Sequence, residues 1–430
     1  MKSSRFNSFL PHKGKIIGYN SFSDRFLLME PFLHDLLQAA IRENDLPGLS
    51  EIHPQMVTGL EEHGFLVPVE KDELEAAKEK SREVDHDDKS FHLIVNPTMN
   101  CNFKCWYCYE SHIKGSKMNA RTIEKLKHFV VGVMDDNPQL EHFLLSWFGG
   151  EPLLHFKQVI VELSEFVYRE CAERGIELVS AYITNGFLIK KEMVPAFHKY
   201  NTQTFQITLD GHREQHNQVR FVSKSRGSYD EIISNIKLLA RNDLRVSIRV
   251  NYTPDNLPDV DKIFDDLADL EAEARAQCTV SLHKVWQSEE AAESDLHSKF
   301  DILKAKGIPI STEFNRPGTL FSSCYADKRM QATVNFNGDA FKCTARDFTK
   351  ANREGVLDES GKIEWNEIYE KRMQAKFRNK PCLSCRILPL CNGGCSQVML
   401  DNWDKDYCVY DGDESKKDEV IMNRFLYLAK

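Results

Sequence analysis

The sequence lacks the long apolar runs and the basic clusters that mark membrane proteins and nucleic-acid-binding proteins. No apolar stretch approaches the roughly 20 residues that a membrane-spanning helix needs. The first residues, MKSSRFNSFLPHKGK, include basic side chains but no apolar signal core. The 430 residues carry a formal net charge of −9 at pH 7, without a notable Lys/Arg run. We therefore expect a soluble, cytoplasmic protein with neither nucleic acid nor a membrane as partner.

Cysteine is the one residue type whose distribution is unusual. Of twelve cysteines, three lie between residues 101 and 108 and seven between Cys324 and Cys408. In the absence of a secretory signal, clustered thiols indicate metal or cluster ligands more readily than disulfides. Cys171 and Cys278 stand alone and are expected to pack in the core, although Cys278 could face the interior of a barrel.

Strand-like and helical segments alternate from residue 91 onward. Apolar runs begin near residues 92, 143, 177, 205, 245 and 279, and the helical patterns that follow them cover 120–136, 156–175, 190–200, 228–243, 257–275 and about 294–306. Repeated strand–helix units with apolar strands predict a parallel sheet covered by helices. Six units are too few for a closed eightfold barrel, so the expected class is α/β with a partial, open (β/α)6 barrel over residues 91–307.

The segments on either side of this region have a different character. Residues 1–69 combine a hairpin (KIIGYN, RFLLM), helices opening at Pro31 and Pro54, and a strand (FLVPV), which is the order of a winged-helix-like module. Residues 70–90 are a charge run, expected to be a solvated helix or linker rather than a docking site. Residues 308–430 are rich in cysteine, and Asn337-Gly338 predicts a hairpin over 333–344.

Four distinctive stretches follow the first four predicted strands. They are MNCNFKCWYCYE, GGEP (149–152), TNG (184–186) and LDG (209–211). Each is weak evidence alone, since Gly-Gly and Asn-Gly pairs are common in turns. In barrels the chemistry lies at the C-terminal ends of the strands, so four such stretches in register predict a functional site there.

The three cysteines of the first stretch leave a coordination position open. Thiolates are the usual ligands of iron–sulfur clusters, and three thiolates on a cluster of four irons leave one iron free for a small molecule. A ligand with an amine and a carboxylate could chelate that iron. The alternative is a zinc site completed by a distant ligand.

This pattern, Cys101-x3-Cys105-x2-Cys108 with Tyr107 before the last cysteine, resembles the signature of radical S-adenosylmethionine (SAM) enzymes, and GGEP resembles their methionine-amine motif. The resemblance implies a [4Fe–4S] cluster on those cysteines, with SAM cleaved reductively to a 5′-deoxyadenosyl radical that abstracts hydrogen from substrate. It implies that Gly149, Gly150 and Glu151 hold the methionine amine, that Tyr107 packs by the adenine, and that Thr208 lies near the ribose or carboxylate. Arg220 and Asn251 are further candidates for cofactor binding. The alternative is that Arg220 is an ordinary exposed arginine and Asn251 an ordinary asparagine at a strand end.

The later cysteines resemble the SPASM domain, which carries two auxiliary clusters. The resemblance implies one [4Fe–4S] cluster on Cys382, Cys385, Cys391 and Cys408, and another on Cys324, Cys343 and Cys395. The second set lacks a fourth cysteine. The fourth position could be an open iron that binds a substrate thiolate, or it could be filled by a water or by a non-cysteine side chain. A zinc ribbon is the alternative, although seven ligands exceed what one zinc ion needs.

The two resemblances together indicate a maturase of ribosomally made peptides. In this hypothesis residues 1–69 bind the leader of a precursor peptide as an added strand, and a flavodoxin- or ferredoxin-like protein donates electrons. A thioether is favoured over a carbon–carbon cross-link as the product, and no catalytic acid or base is named.

Two alternatives remain. The first is an anaerobic sulfatase maturase, which makes formylglycine. That family places an aspartate directly after the second hairpin cysteine. This chain has Thr344 at that position, and the nearest acid is Asp347. A zinc-binding scaffold without chemistry is the other.

Overall fold

The computed structural model describes residues 1–289, 293–307, 309–310 and 320–428. The chain forms two compact units: Met1–Asp87 with Asn315–Arg329 and Glu370–Lys430, and Asp88–Phe314 with Met330–Tyr369. Residue 308, the predicted first residue of the C-terminal domain, lies outside the described residues, and the predicted division into domains stays a prediction. Among the described helices, none combines the length and apolarity needed to span a bilayer.

In the N-terminal part of the first unit, short strands and helices pack around a small core. The strands are β1 (Lys2–Ser3), β2 (Asn7–His12), β3 (Lys15–Asn20), β4 (Arg25–Met29) and β5 (Leu66–Val67), and the helices are α1 (Pro31–Arg42), α2 (Leu46–Ile52), α3 (Pro54–Glu62) and α4 (Glu73–Asp85). Strands β2, β3 and β4 form an antiparallel sheet, and β1 pairs with β5. The hairpin and the two helices that begin at proline are confirmed; α2, capped by the Asp45 side chain on the Gly48 N–H, was not predicted.

The charged segment after β5 is a helix with one buried face, which differs from an exposed linker. Asp72 caps α4 by accepting from the Leu74 and Glu75 N–H groups. Ala77, Ser81 and Asp85 recur every four residues and are buried, because residues at this spacing share one face of a helix.

The second unit is built on six parallel strands, in the order in which the sequence predicted them. The strands are β6 (Ser90–Asn96), β7 (His142–Trp147), β8 (Glu177–Thr184), β9 (Thr202–Leu209), β12 (Arg245–Tyr252) and β13 (Cys278–Lys284), with a small hairpin of β10 (Phe221–Ser223) and β11 (Arg226–Gly227) between β9 and β12. Five parallel pairings join each of these six strands to its neighbour in that order. The predicted α/β architecture with a mostly parallel central sheet is confirmed.

Helices follow the strands, as expected for right-handed strand–helix units. They are α5 (Ala120–Asp136), α6 (Val161–Arg174), α7 (Val194–Lys199), α8 (Arg213–Val219), α9 (Tyr229–Ala240), α10 (Lys262–Asp265), α11 (Ala272–Ala276) and α12 (Glu293–Ala305). The continuous helix predicted over 257–275 was wrong, since only the short helices α10 and α11 and a single turn form there. This stretch is rich in aspartate, which favours turns and caps because its side chain competes for nearby backbone groups.

The sheet continues beyond the six predicted units. Four more strands follow, β14 (Gln331–Asn335), β15 (Asp339–Phe341), β16 (Gly355–Leu357) and β17 (Ile363–Trp365), and then α13 (Glu367–Met373). The predicted hairpin is confirmed by β14 and β15, with Gly338 at φ +86° in the turn. The sequence did not predict that β14 lies parallel beside β6, where it is buried along its whole length.

The C-terminal part of the first unit contains short helices around its cysteines. They are α14 (Lys380–Leu383), α15 (Leu388–Cys391), α16 (Ser396–Asp401) and the longer α17 (Glu414–Leu428). Leu390 and Ile421 pack with Leu10 and Tyr19 of the N-terminal strands in one apolar cluster. The N-terminal and C-terminal parts of this unit therefore share a core.

Candidate functional site

A cavity lies where the loops after the parallel strands meet. The predicted residues that line it are Cys101, Cys105, Tyr107, Cys108, Gly149, Gly150, Thr208, Arg220 and Asn251. They come from the loops after β6 and β7, from β9 and β12 near their C-terminal ends, and from the end of α8. The structure thus brings together all the predicted SAM-site residues except Glu151, which is fully buried.

The cysteine loop after β6 is shaped by local hydrogen bonds and one apolar anchor. Thr98 Oγ1 donates to the Ser116 carbonyl at 2.6 Å, which ties the start of the loop to its end. Phe103 is buried, and its N–H donates to Cys101 Sγ at 3.4 Å. A turn from the Cys108 N–H to the Cys105 carbonyl, 3.1 Å, brings the last two cysteines together. The thiols therefore face one cavity while Phe103 fixes the backbone.

The three thiols fit an iron–sulfur cluster better than a single ion. Cys101, Cys105 and Cys108 form no disulfide, and no three His, Cys, Asp or Glu side chains of the described residues are placed to hold one metal ion. In a cluster the thiolates bind different irons, so the sulfurs need to face a common cavity rather than one point. Burial raises the pKa of Cys101 to about 12 and that of Cys108 to about 11. Ligand binding at neutral pH would therefore release protons from these thiols.

Gly149 and Gly150 form a turn that only glycine fits. Both have positive φ, +77° and +47°. A Cβ on Gly149 would lie 2.7 Å from Asn96 Cβ, and a Cβ on Gly150 would overlap the Asn100 carbonyl of the cysteine loop. The Gly150 N–H donates to Glu110 Oε2 at 2.7 Å, and burial raises the pKa of that carboxyl to about 7. The glycine turn is therefore packed directly against the cysteine loop.

Glu151 occupies a structural position beside this turn. Its carboxylate accepts hydrogen bonds from Thr184 Oγ1 (2.8 Å), the Asn185 N–H (2.8 Å) and the Leu153 N–H (3.0 Å). These contacts join the loop after β7 to the end of β8. The role in amine binding predicted for Glu151 stays a prediction, whereas its contacts hold two loops together.

Tyr107 is the centre of a buried polar network. Its hydroxyl donates to Asp210 and accepts from Arg220 Nη2 and Asn251 Nδ2, both at 3.0 Å. Arg220 is buried rather than exposed, and its Nε donates to Asp210 Oδ2 at 2.6 Å. The prediction missed Asp210 as a site residue, although the LDG stretch that contains it was singled out. The network holds the Tyr107 ring fixed at the cavity wall.

His216 and Ser228 support this network from behind, and neither was predicted. His216 Nδ1 accepts from the Asp210 N–H at 3.2 Å, so its proton lies on Nε2, which contacts Ser228 Oγ at 3.0 Å. Ser228 Oγ in turn donates to the Arg220 carbonyl at 2.8 Å. Burial lowers the pKa of His216 well below its usual value, so the ring is neutral. It positions the backbone of Asp210 and Arg220.

The mouth of the cavity is aromatic. Trp286, from the segment after β13, stacks on Tyr109 with ring centroids 5.7 Å apart. The neighbouring Gln287 side chain donates to the Tyr107 carbonyl at 3.0 Å. These residues carry no motif, so only the fold shows that the segment after the sixth strand meets the cysteine loop.

Four of the later cysteines line a second cavity, in the other unit. These are Cys382, Cys385, Cys391 and Cys408, the set predicted for one auxiliary cluster. The Cys385 N–H donates to the Cys382 carbonyl at 3.1 Å, and Cys391 ends α15, where Asn392 turns the chain with φ +52°. Burial raises the pKa of Cys391 to about 12 and that of Cys382 to about 11. Four thiols around one cavity suit a closed cluster site.

The remaining cysteines have different surroundings. Cys324 and Cys395 are exposed and belong to the first unit, whereas Cys343 is half-buried and belongs to the second. A shared cluster on these three residues stays a prediction. Cys171 and Cys278 are buried in the core of the second unit, as predicted.

Comparisons with known proteins agree with this arrangement. Residues 95–267 match the profile of the Radical SAM superfamily. The chain is 27% identical over 183 residues to a cysteine-type anaerobic sulfatase-maturating enzyme of Clostridium novyi, covering 41% of this chain and 47% of that protein. It is 26% identical over 178 residues to an Fe-coproporphyrin III synthase of Methanosarcina barkeri, covering 41% of each. The chain thus spans about half the length of these curated relatives.

Solved structures share the fold. The structure of native anSMEcpe with bound AdoMet and Kp18Cys peptide aligns with a TM-score of 0.58 and 19% identity, over 79% of this chain and 98% of that one. At this identity the likeness concerns the fold alone. The similarity to the Radical SAM superfamily itself rests on the profile match over residues 95–267, the part of the chain that carries the cysteine and glycine stretches at the cavity.

Proposed function

We propose that this protein is a radical SAM enzyme that modifies a ribosomally made precursor peptide, installing a cross-link, with a thioether favoured over a carbon–carbon bond. The observation that carries the proposal is the cavity of the second unit, where three thiols, the glycine turn and the Tyr107 network meet. The four-thiol cavity of the first unit adds a site for an auxiliary cluster. A peptide as substrate class is supported by anSMEcpe, which has this fold and holds a peptide beside AdoMet.

Cys101, Cys105 and Cys108 would hold the [4Fe–4S] cluster, and SAM would lie between it and Tyr107. When bound, cluster and cofactor together supply a 5′-deoxyadenosyl radical. The glycine turn would expose backbone groups to the cofactor while packing against the loop after β6, where a Cβ at either glycine would meet Asn96 or Asn100. The Tyr107 hydroxyl is held by three partners, so its ring is preorganised to contact the adenine.

The later cysteines would hold two further clusters. Cys382, Cys385, Cys391 and Cys408 would close one of them, and Cys324, Cys343 and Cys395 would bind the other with one position left for a substrate thiolate, a water or another side chain. A flavodoxin- or ferredoxin-like protein would supply electrons. In this proposal the auxiliary clusters accept the second electron or hold the acceptor sulfur.

The N-terminal sheet would bind the leader of the precursor. Its order is β2, β3, β4, so β2 and β4 are its edge strands. An extended peptide gains main-chain hydrogen bonds by adding to such an edge. Leu28 on β4 and Phe32 at the start of α1 are 55% and 64% exposed, which provides apolar surface next to that edge.

Formylglycine formation is the second candidate, because the chain is similar to a sulfatase-maturating enzyme. In this chain the nearest acid after Cys343 is Asp347, whose carboxylate accepts from the Ser111 N–H (2.8 Å) and Ser111 Oγ (2.5 Å). These bonds occupy the carboxylate beside the cysteine loop. Asp347 is therefore engaged in holding that loop, which favours the cross-linking candidate.

The test is the mass of a candidate precursor peptide after anaerobic reaction with reconstituted enzyme, reductant and SAM, followed by thiol alkylation. Loss of two hydrogens with one cysteine protected from alkylation supports a thioether. Loss of two hydrogens with every thiol alkylated supports a carbon–carbon bond, and reaction with a hydrazide identifies formylglycine. Unchanged precursors together with no 5′-deoxyadenosine would contradict the proposal.

A further inference from the structure

Arg249 is a cation in the cavity that contacts the Tyr107 network only through Asn251. It lies on β12, in register with Thr208 on β9 and Ser281 on β13, and it lines the cavity beside Asn251. The guanidinium is half-buried. Among the described residues its side chain has one hydrogen-bond partner, Asn251, with Nε donating to Oδ1 at 2.9 Å.

The other arginine of the cavity is neutralised, whereas Arg249 is not. Arg220 Nε lies 2.6 Å from Asp210 Oδ2 in a buried ion pair. Within the part of the chain that the structure describes, no carboxylate forms an ion pair with Arg249, and both Nη groups lack a hydrogen-bond acceptor. A guanidinium withdrawn from water without an anion is costly. Such a group facing a cavity is therefore suited to an anionic ligand.

The charged groups around Arg249 also favour an anionic ligand. Lys284, at the C-terminal end of β13, also lines the cavity. Arg220 lies close enough to Arg249 to disfavour its charged form. Glu110, the one carboxylate among the described residues that line the cavity, accepts a hydrogen bond from the Gly150 N–H. Tyr109, Tyr107 and Asp210 also face Arg249, and each favours its charged form. Three basic side chains, Arg220, Arg249 and Lys284, thus line one cavity.

We propose that Arg249 binds a carboxylate of the substrate, so that the modified peptide presents an aspartate or glutamate side chain next to the reacting residue. This inference rests on the proposed function, because it concerns the peptide of that reaction. Arg249 would act as a specificity residue: with Nε donating to Asn251, its two Nη groups can give a carboxylate two parallel hydrogen bonds.

A carboxylate could come from two sources, the peptide or the methionine end of SAM. In the proposed site the cofactor's amine and carboxylate chelate the cluster on Cys101, Cys105 and Cys108. That carboxylate is then already bound, which leaves Arg249 for the peptide. The experiment separates these sources by measuring both ligands on the same variant.

The experiment is a competition for binding, not a turnover assay. Reconstituted enzyme with SAM is mixed anaerobically with blocked heptapeptides of one Gly/Ala/Phe sequence that carry Asp, Glu, Asn, Gln or Lys at the centre. Ultrafiltration and mass spectrometry give the bound fraction of each peptide. We expect the acidic peptides to be retained about tenfold or more over their amides, the magnitude of one hydrogen-bonded ion pair.

Variants identify the residue. Arg249→Gln should reduce the preference to within about twofold, Arg249→Lys should keep part of it, and Arg249→Glu should favour the lysine peptide. Arg245→Gln is the matched control, since it removes the same charge from the exposed start of the same strand and should keep the preference. Because Arg249 has no ion-pair partner, Arg249→Gln should fold with an unchanged melting temperature.

Three outcomes would overturn the proposal. Equal retention of acidic and amide peptides by the wild type is one, and an intact preference in Arg249→Gln is another. A tenfold loss of SAM affinity in Arg249→Gln would assign the guanidinium to the cofactor. A failed peptide reaction would count against the proposed function and leave this test readable, since it measures binding.

Discussion

Gly149 and Gly150 bring the turn after β7 against the cysteine loop, and the structure leaves no space for a side chain at either. We predict that Gly150→Ala lowers the free energy of unfolding by about 2–4 kcal/mol, because the new Cβ meets the Asn100 carbonyl in a backbone conformation that alanine disfavours. Urea denaturation followed by circular dichroism measures the loss.

The control is Gly132→Ala in α5, where a Cβ meets nothing within 4 Å. It should stabilise the protein by about 0.5–1 kcal/mol, as alanine does in a helix interior. Equal effects of the two substitutions would contradict the packing argument.

Asp210 is the acceptor that unites the Tyr107 hydroxyl with the Arg220 guanidinium. We predict that Asp210→Asn weakens SAM binding by about tenfold or more, since it leaves a buried guanidinium without its anion and releases Tyr107. Equilibrium dialysis with labelled SAM measures the affinity. The control is Asp230→Asn, which breaks an exposed ion pair with Arg213 and should leave the SAM affinity unchanged. If Asp210→Asn changes the SAM affinity by twofold or less, the network does not serve the cofactor.

Single residues were partly predictable. Cys101, Cys105, Cys108, Tyr107 and the two glycines could be predicted from their spacing in the sequence, and the fold brings them to one cavity. His216, Ser228 and Arg249 could not be found that way, because their roles depend on contacts between strand ends and helices that no short motif records. Asp210 lay within a recognised stretch, but its partners 103 and 10 residues away become visible only in the structure.

Secondary-structure elements were predicted best where the pattern is local. The six parallel strands and the hairpin at Asn337-Gly338 follow from apolar runs and turn residues. The pairing of β14 with β6 joins Asn335 to Asn96, and local periodicity contains no information on a partner so far away. The aspartate-rich stretch after β12 has helical periodicity, but it forms only short helices and turns because aspartate side chains favour turns and caps.

Helix α4 shows how a charged element is held in place. Asp85 is buried, and its carboxylate pairs with Lys376 Nζ at 2.6 Å. We predict that Asp85→Ala lowers the free energy of unfolding by about 2–4 kcal/mol, because the buried Lys376 ammonium loses its nearer carboxylate and keeps only Asp327 at 3.5 Å. Glu83→Ala on the same helix breaks an exposed pair with Lys80 and should cost less than about 1 kcal/mol. Chemical denaturation compares them, and similar costs would mean that α4 is a solvated helix after all.

At the scale of the whole molecule, the chain has two units with a thiol-lined cavity in each. We predict that replacing Cys382, Cys385, Cys391 and Cys408 together by alanine removes about four irons and four sulfides per chain from reconstituted protein, the content of one cluster. Iron and sulfide assays on anaerobically purified protein give the count. Cys171→Ala, which changes a buried core thiol, is the control and should keep the full iron content. Zinc in place of iron in the unmodified protein would contradict this account.

The central claim is that the cavity of the second unit supports reductive cleavage of SAM. The most direct measurement is the 5′-deoxyadenosine formed by anaerobically reconstituted protein with dithionite and SAM, compared with a Cys101→Ala, Cys105→Ala, Cys108→Ala variant. The account predicts product from the unmodified protein and none above background from the variant. Absence of 5′-deoxyadenosine from protein that contains its clusters, or equal amounts from both proteins, would contradict it.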